Sequence, residues 1–245
     1  MGKELLGVVA DVLFPPRCQA CGETADELTA GLFCAACAGD IRYLQPPLCL
    51  SCGAPVPVAP GTEHCCPDCR REPQPFTTAR SVAVYAGVLL QVIHDFKYRR
   101  RPSLGRGLGA LMTGRNYAGI DTADLDVIIP VPLHVRRLRE RGFNQSLLLA
   151  RAVSAGCGVP LDFLSLRRER DTPPQTLRDR RERRANIRGA FGVTRRERIR
   201  GKKILLVDDV YTTGSTLAEC ARVLLDSDAA RIDVLTLARA IPDAA

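Results

Sequence analysis

The fold is decided by thirteen consecutive residues, Ile204-Leu205-Leu206-Val207-Asp208-Asp209-Val210-Tyr211-Thr212-Thr213-Gly214-Ser215-Thr216. The four apolar residues at the start, with no polar alternation, predict a strand buried on both faces of a parallel sheet. Two carboxylates follow at the carboxyl end of that strand. A loop of small hydroxyl residues then leads into 217–225, where apolar residues recur with the period of a helix. The stretch therefore predicts a strand–loop–helix unit.

The composition of this loop suits a phosphate. Gly214 allows a positive φ or a close approach of the backbone to a ligand. The amides of 212–216 can surround an anion at the helix N-terminus, and one of the hydroxyl groups can cap the helix. Asp208 and Asp209 are placed to bind sugar hydroxyls or Mg²⁺. An ordinary capped strand–turn–helix is the alternative, but it leaves two adjacent carboxylates unexplained. The pattern favours a ribose 5-phosphate ligand.

The same stretch resembles the phosphoribosyl pyrophosphate (PRPP) motif of type I phosphoribosyltransferases. The resemblance covers all thirteen residues: four apolar residues, two acids, an apolar residue and the Thr-Thr-Gly-Ser-Thr loop.

Composition bounds the class of protein. The chain has 245 residues and a net charge of +8, which favours anionic partners. No apolar run reaches the length of about 18 residues that a transmembrane helix needs. Residues 3–14 predict a short amphipathic helix that packs on its own domain, with a membrane or partner helix as the alternative. This helix makes a poor signal peptide, so we expect a cytoplasmic protein.

Cysteine usage is uneven, since nine of the eleven cysteines lie between Cys18 and Cys69. Paired CxxC turns in a chain without a secretion signal favour tetrahedral zinc over disulfides. The spacing predicts two structural zinc ribbons in tandem, paired sequentially, with interleaved pairing as the alternative. Cys65 and His64 lie beside the last pair and can substitute as ligands or be bystanders. The expected ligands are Cys18, Cys21, Cys34, Cys37, Cys49, Cys52, Cys66 and Cys69.

A proline-rich linker at 73–75 divides the chain into an N-terminal helix and ribbon part, 1–75, and a second domain, 76–245. In the second domain strands alternate with helices, which predicts a parallel, doubly wound α/β sheet flanked by helices. The expected strands are 81–85, 126–132, 202–207 and 232–238, and the expected helices are 88–96, 147–153 and 217–225. The Gly105-x-Gly107-x-Gly109 run has the wrong spacing for a dinucleotide motif.

Basic residues are concentrated in three places. Residues 97–101 and 136–141 carry clusters of cations, and 167–203 holds 15 Lys or Arg against 5 Asp or Glu, a net of 15 − 5 = +10. The mixed charges of 180–188 are compatible with a helix. Three interpretations of residues 167–203 stay open: a solvated surface, a loop over a polyphosphate, and a track for nucleic-acid phosphates. His134 is either incidental or in contact with a ligand.

Taken together, the chain resembles the ComF family, in which a double zinc ribbon is fused to a type I phosphoribosyltransferase domain. The matching pieces are the four CxxC pairs, Lys97-Tyr98, Pro130-Val131-Pro132, Arg141 to Ser146, Gln175, Arg183 with Asn186, Gly189-Ala190-Phe191 and 204–216. The family is associated with competence and uptake of single-stranded DNA. The extra Cys65 is a departure from its pattern.

The resemblance implies roles for specific residues. Asp208 and Asp209 would contact the ribose hydroxyls and be the catalytic residues. The 5-phosphate would lie on Thr212, Thr213, Gly214, Ser215 and Thr216. The pyrophosphate, with Mg²⁺, would meet Lys97, Val131, Pro132, Leu133 and Arg141.

Three functions stay open on the sequence. The chain is a phosphoribosyltransferase, or a nucleic-acid-binding protein that keeps the fold for PRPP or DNA, or a zinc-ribbon interaction module with a scaffold domain. Its expected partners are PRPP, single-stranded DNA or another polyanion, and proteins of the competence machinery.

Overall fold

The computed structural model describes residues 15–57, 64–172 and 185–241. The predicted helix at 3–14, most of the segment 180–188, and both Gln175 and Arg183 lie outside these residues. The strands are β1 (Thr78–Val84), β2 (Val127–Pro130), β3 (Leu166–Arg168), β4 (Phe191–Val193), β5 (Lys203–Tyr211) and β6 (Arg231–Arg239). The α-helices are α1 (Ala35–Gly39), α2 (Pro67–Arg71), α3 (Gly87–Tyr98), α4 (Leu104–Ala110), α5 (Val135–Arg141), α6 (Gln145–Cys157) and α7 (Ser215–Leu225).

The predicted parallel sheet is confirmed. Strands β1, β6, β5 and β2 form a four-stranded parallel sheet in that order, while β3 and β4 form a separate antiparallel pair. Successive residues of β5 point to opposite faces. Leu205 and Val207 pack in the core with α3, α4 and α6, and Ile204 and Leu206 pack in the core with α7. Both faces are therefore covered, which explains the uninterrupted apolar run.

Strand β5 is longer than the sequence predicts. It runs through both acids to Tyr211, because β6 continues the ladder with the pairs Asp208–Thr236, Val210–Ala238 and Tyr211–Arg239. The acids lie inside the strand, and the loop is confined to the few residues between Tyr211 and α7. The short antiparallel pair of β3 and β4 is also absent from the sequence interpretation.

The three glycines of the rejected dinucleotide run lie within α4, where they allow close packing. A Cβ on Gly107 would overlap Leu32, and a Cβ on Gly109 would overlap Ala152 of α6. The glycines therefore let α4 fit between the cysteine-rich segment and α6.

The cysteine-rich segment covers the edge of the sheet. Val84 N donates to Arg42 O at 2.8 Å, and Leu44 N donates to Val82 O at 3.0 Å, so residues 42–44 run along the free edge of β1. Cys18 and Cys37 join the core on the α3 face, and Cys49 and Cys52 join the core on the α7 face. The two cysteine groups thus lie against opposite faces of one sheet.

Candidate functional site

The two acids of β5 have different partners. Asp208 Oδ1 accepts hydrogen bonds from Ser146 Oγ at 2.7 Å and from Asp209 N at 2.9 Å. Asp209 Oδ1 lies 2.9 Å from Lys97 Nζ, at the end of α3. One carboxylate is thus held by neutral donors and the other by a cation.

The electrostatics of the pair follow from its burial. Burial and then the neighbouring Asp209 carboxylate raise the pKa of Asp208 to about 7. Burial also disfavours the charged form of Lys97, but the ion pair and hydrogen bond with Asp209, together with the Asp208 carboxylate, outweigh it and leave the pKa of Lys97 above its ordinary value. Lys97 is therefore a permanent cation, whereas the charge of Asp208 changes near neutral pH.

The hydroxyl-rich loop turns sharply at Gly214. This residue has φ +77° and occupies the cap position of α7, where it contributes no side-chain oxygen. A Cβ here would overlap the hydroxyl oxygen of Tyr211. The N-cap residue of α7 therefore supplies no hydroxyl group, but the hydroxyl of the preceding residue, Thr213, accepts from Ser215 N at 3.5 Å. Thr213 Oγ1 also lies 2.9 Å from Ser215 Oγ, so the two hydroxyl groups bond to each other inside the loop.

The loop after β2 is fixed at its first residue, Val131. Val131 N donates to Val207 O at 2.9 Å, and Asn144 Nδ2 donates to Val131 O at 3.1 Å. Asn144 also caps α6 by accepting from Ser146 N at 3.0 Å. The same asparagine therefore aligns this loop with Ser146, the partner of Asp208.

His134 caps the next helix, α5. Its Nδ1 accepts from Arg136 N at 3.4 Å and lies 3.8 Å from Asp171 Oδ1. Arg141, at the end of α5, lies with its guanidinium carbon 5.4 Å from the ring centroid of Tyr98. Burial lowers the pKa of Arg141.

These elements meet in one cleft of about 170 Å³ at the carboxyl ends of the strands. The cleft is lined by Lys97, Tyr98, Val131, Pro132, Leu133, Arg141, Gln145, Ser146, Arg168, Asp208, Asp209 and Thr216. It includes both predicted acids and all five predicted pyrophosphate residues. Of the predicted loop residues, Thr216 lines this cleft, whereas Ser215 lines a second cleft with Glu219 and Arg222.

Four lining residues were not among the predicted site residues: Tyr98, Gln145, Ser146 and Arg168. Gln145 Oε1 and Arg168 Nε are buried and have no hydrogen-bond partner within the described ranges. Buried polar atoms of this kind are expected to meet a ligand or water. Gln145 and Ser146 follow a recognisable Gly-Phe-Asn run, but nothing in the sequence separates Arg168 from the other basic residues of its segment.

The eight CxxC cysteines form two clusters with sequential pairing. The first cluster is Cys18, Cys21, Cys34 and Cys37, and the second cluster is Cys49, Cys52, Cys66 and Cys69. Within each cluster all four sulfur atoms lie within 4.8 Å of one another. Sγ–Sγ distances are 3.9 Å for Cys21–Cys34 and 3.7 Å for Cys52–Cys66. Four thiolates bound to zinc at about 2.3 Å lie roughly 3.8 Å apart, so both clusters fit structural Zn²⁺.

Cys65 lies outside the second cluster and packs against the core on the α7 face. The backbone of His64 contributes to the same loop, since Leu50 N donates to His64 O at 3.1 Å. The second cluster is complete without either side chain.

Among the helices of residues 15–57, 64–172 and 185–241, none is long and apolar enough to cross a membrane.

Comparisons with known proteins agree with this architecture. A double zinc ribbon domain model matches residues 9–70, and a phosphoribosyl transferase domain model matches residues 144–243. DNA utilization protein YhgH of Escherichia coli O157:H7 is 35% identical over 213 residues, which cover 85% of this chain and 90% of that protein. Competence protein F of Haemophilus influenzae is 28% identical over 221 residues, covering 84% of this chain and 96% of that protein.

One solved structure that aligns with this chain is glutamine PRPP amidotransferase from B. subtilis. The aligned residues are 20% identical and cover 57% of this chain and 26% of that chain. The TM-score of this alignment is 0.35, so the likeness is too weak to support an argument about the fold. The two domain matches and the paired cysteine clusters agree with the sequence relatives. The chain therefore belongs to the ComF family, in which a double zinc ribbon is joined to a phosphoribosyltransferase domain.

Proposed function

We propose that the cleft binds PRPP with Mg²⁺ and that the chain transfers or senses its phosphoribosyl group. The supporting observation is the cleft itself, in which one acid pair, three cations and the first turn of α7 face one small space. The 5-phosphate lies on the loop Thr212 to Thr216, the ribose hydroxyls meet Asp208 and Asp209, and the pyrophosphate meets the loop at 131–133.

The charges around the cleft suit this ligand. Lys97, Arg141 and Arg168 contribute three cations near the two carboxylates. A pyrophosphate needs such cations, since its oxygen atoms pair well with guanidinium groups and ammonium ions. The carboxylate oxygens of Asp208 and Asp209 are also the donors that Mg²⁺ prefers. Mg²⁺, when bound, would neutralise part of the charge on the departing pyrophosphate.

The transfer reaction needs no nucleophilic side chain. The bond between C1 of the ribose and the pyrophosphate oxygen breaks, and a bond between C1 and an acceptor forms. The protein positions the two reactants and stabilises the negative charge of the leaving group. Lys97 and Arg141 perform the second task in this proposal, because both are partly buried cations that line the cleft with the loop at 131–133.

Calorimetric titration of zinc-loaded protein with PRPP and Mg²⁺ tests the proposal. Wild type is expected to bind saturably, and Asp208→Asn/Asp209→Asn is expected to lose that binding. Glu197→Gln is the control, since it removes a negative charge from an exposed residue and should bind like wild type. A folded wild type that binds no PRPP would overturn the proposal.

A second function is favoured by the basic segment and by the relatives. Residues 167–203 carry the +10 charge noted above, and the relatives are named for competence and DNA utilization. In this alternative a cytoplasmic protein of the competence machinery binds single-stranded DNA, and the phosphoribosyltransferase fold has a binding role. The logarithm of DNA affinity should then fall steeply with the logarithm of salt concentration. A flat salt dependence would exclude it.

The matches to a double zinc ribbon and to a phosphoribosyl transferase domain support our proposal that the domains of the chain are 1–75 and 76–245. The domain models match within these bounds, at 9–70 and 144–243.

A further inference from the structure

We propose that Arg239 and Tyr211 couple the second cluster to the phosphate loop, so that metal in this cluster, and not in the first, fixes residues 212–216. The inference rests on the proposed function in one respect, the assignment of this loop to the 5-phosphate. Arg239 and Tyr211 are positioning residues in this proposal and do not line the cleft.

Arg239 is bonded to the second cluster directly. It lies at the end of β6 with 6% of its surface exposed. Its Nη1 donates to Cys52 O at 2.7 Å, and its Nη2 donates to Cys52 Sγ at 3.5 Å. Donors to a metal-bound sulfur orient the ligand and stabilise its thiolate form. The position of the guanidinium group therefore depends on whether a metal ion holds Cys52 in place.

The other face of the same guanidinium group lies on Tyr211. The guanidinium carbon is 4.1 Å from the centroid of the tyrosine ring, a cation–π distance. Phe76 meets this ring edge-on, with centroids 6.5 Å apart. Tyr211 is 3% exposed, so a movement of Arg239 would leave a gap beside its ring.

Tyr211 in turn fixes the phosphate loop. It immediately precedes Thr212, and its hydroxyl group occupies the space where a side chain on Gly214 would lie. Its carbonyl oxygen accepts from Ala240 N at 2.9 Å, which ties it to the end of β6 beside Arg239. Cys52, Arg239, Tyr211 and Gly214 thus form one continuous series of contacts.

Charge balance gives the metal its effect. Four thiolates and one divalent ion carry a net charge of −2. Arg80 and Arg239 are buried beside the second cluster, and Arg80 Nη1 donates to Cys49 O at 3.3 Å and to Leu50 O at 3.2 Å. Two guanidinium groups balance a charge of −2. The metal-loaded second cluster therefore matches the charge of the two buried guanidinium groups that bond to its backbone.

The first cluster supports a different part of the site. Gln91 Nε2 of α3 donates to Ala20 O at 3.0 Å, and Leu32 packs against Gly107 of α4. Helix α3 ends beside Lys97, at the pyrophosphate end of the cleft. Damage to the first cluster should therefore weaken pyrophosphate binding, and damage to the second should weaken binding of ribose 5-phosphate.

Arg239→Gln tests the coupling, with Arg106→Gln on the exposed surface of α4 as the matched control. Four quantities are measured: the amide hydrogen exchange rate of residues 212–216, the rate of zinc loss to a chelator, the affinity for ribose 5-phosphate, and the affinity for pyrophosphate with Mg²⁺. Losing one stacked, charged contact is expected to raise the first two rates about tenfold and to weaken ribose 5-phosphate about tenfold. Pyrophosphate affinity should stay within about twofold of wild type.

Two cysteine variants test the role of the metal. Cys66→Ser in the second cluster and Cys34→Ser in the first are matched, since both residues are partly buried. Cys66→Ser should accelerate exchange in 212–216, and Cys34→Ser should leave it unchanged. Equal effects of both variants on the loop would overturn the proposal.

Wild-type exchange rates in Arg239→Gln would also overturn it. If that variant does not fold, Arg239→Lys keeps the buried charge and removes the planar group over Tyr211, and the same acceleration is expected. Hydrogen exchange and zinc retention need no PRPP. A wild type that binds neither sugar phosphate nor pyrophosphate would therefore refute the proposed function, while these two measurements would still decide the coupling.

Discussion

Lys97 Nζ and Asp209 Oδ1 form an ion pair of 2.9 Å, with only 17% and 10% of the two side chains exposed. The pair joins the end of α3 to the carboxyl-terminal part of β5, across the proposed ligand cleft. As a consequence, the two adjacent acids have different partners. Asp209 has a fixed counter-ion, whereas Asp208 is held by a hydroxyl and an amide.

Lys97→Met should therefore destabilise the protein strongly. The Asp209 carboxylate would stay in the cleft without its ion-pair partner, and loss of one partner of such a pair costs about 3–5 kcal/mol. Urea unfolding measures the loss of unfolding free energy. Lys202→Met is the control, because the Lys202–Asp126 pair of 3.4 Å is exposed and should contribute less than about 1 kcal/mol. Equal losses in the two variants would contradict this account.

Gly214→Ala should disrupt the phosphate loop by two effects, backbone strain at φ +77° and overlap with the Tyr211 hydroxyl group. Gly201→Ala separates them, since Gly201 has φ +69° and open space at its Cβ position. Strain alone should cost about 1–2 kcal/mol of unfolding free energy in Gly201→Ala. Gly214→Ala should cost more and should also weaken PRPP binding at least about tenfold, or about 1.4 kcal/mol. Thermal unfolding and calorimetry measure both quantities.

Asp208 should make stability depend on pH. Its pKa is raised to about 7 from an ordinary value of 3.8. Between these values the unfolded chain releases the proton and the folded chain keeps it, so stability falls as pH rises, by up to about 1.4 kcal/mol per pH unit. Below the unfolded value and above the folded value this contribution is constant.

Asp208→Asn removes the ionisation and keeps an oxygen that can accept from Ser146. The stability of the variant relative to wild type should therefore increase as pH rises from 5 to 8, measured by urea unfolding at each pH. A stability difference that does not change with pH would show that Asp208 ionises normally.

Arg168→Gln should weaken PRPP binding although the residue lies in a segment of many cations. Its guanidinium group lines the cleft, burial lowers its pKa, and its Nε has no partner within the described ranges. Removal of one charged hydrogen bond costs about 1.5–3 kcal/mol, or at least about tenfold in affinity. Arg167→Gln is the matched neighbour, with 63% of its side chain exposed, and should bind PRPP like wild type.

Metal analysis should find two zinc ions per chain. Cys34→Ser and Cys66→Ser should each reduce the content to about one, because each removes one of four ligands. Cys65→Ser should retain two ions, since Cys65 lies outside the second cluster. Loss of zinc in Cys65→Ser would identify it as a ligand.

The local patterns predicted much of the candidate site. The apolar run at 204–207 predicts a strand covered on both faces, and the sheet order β1-β6-β5-β2 places it second from one edge with cores on either side. The CxxC spacing predicts two Cys₄ sites because four sulfur ligands complete a tetrahedral ion. Arg168 was not predicted as a site residue. Its place in the cleft depends on the pairing of β3 with β4, and no sequence pattern distinguishes these two strands within the basic segment.

The sequence by itself determined the residue types that are proposed to meet phosphate, metal and ribose, because those requirements are local: a glycine at a turn, hydroxyl groups at a helix start, and thiols with two residues between them. Tertiary structure alone decided which acid holds Lys97, where β5 ends and which cluster contacts Arg239. Each of these depends on contacts between residues far apart in the chain. Cys52 and Arg239 are 187 positions apart, yet their hydrogen bond exists because the sheet packs β6 against the second cluster.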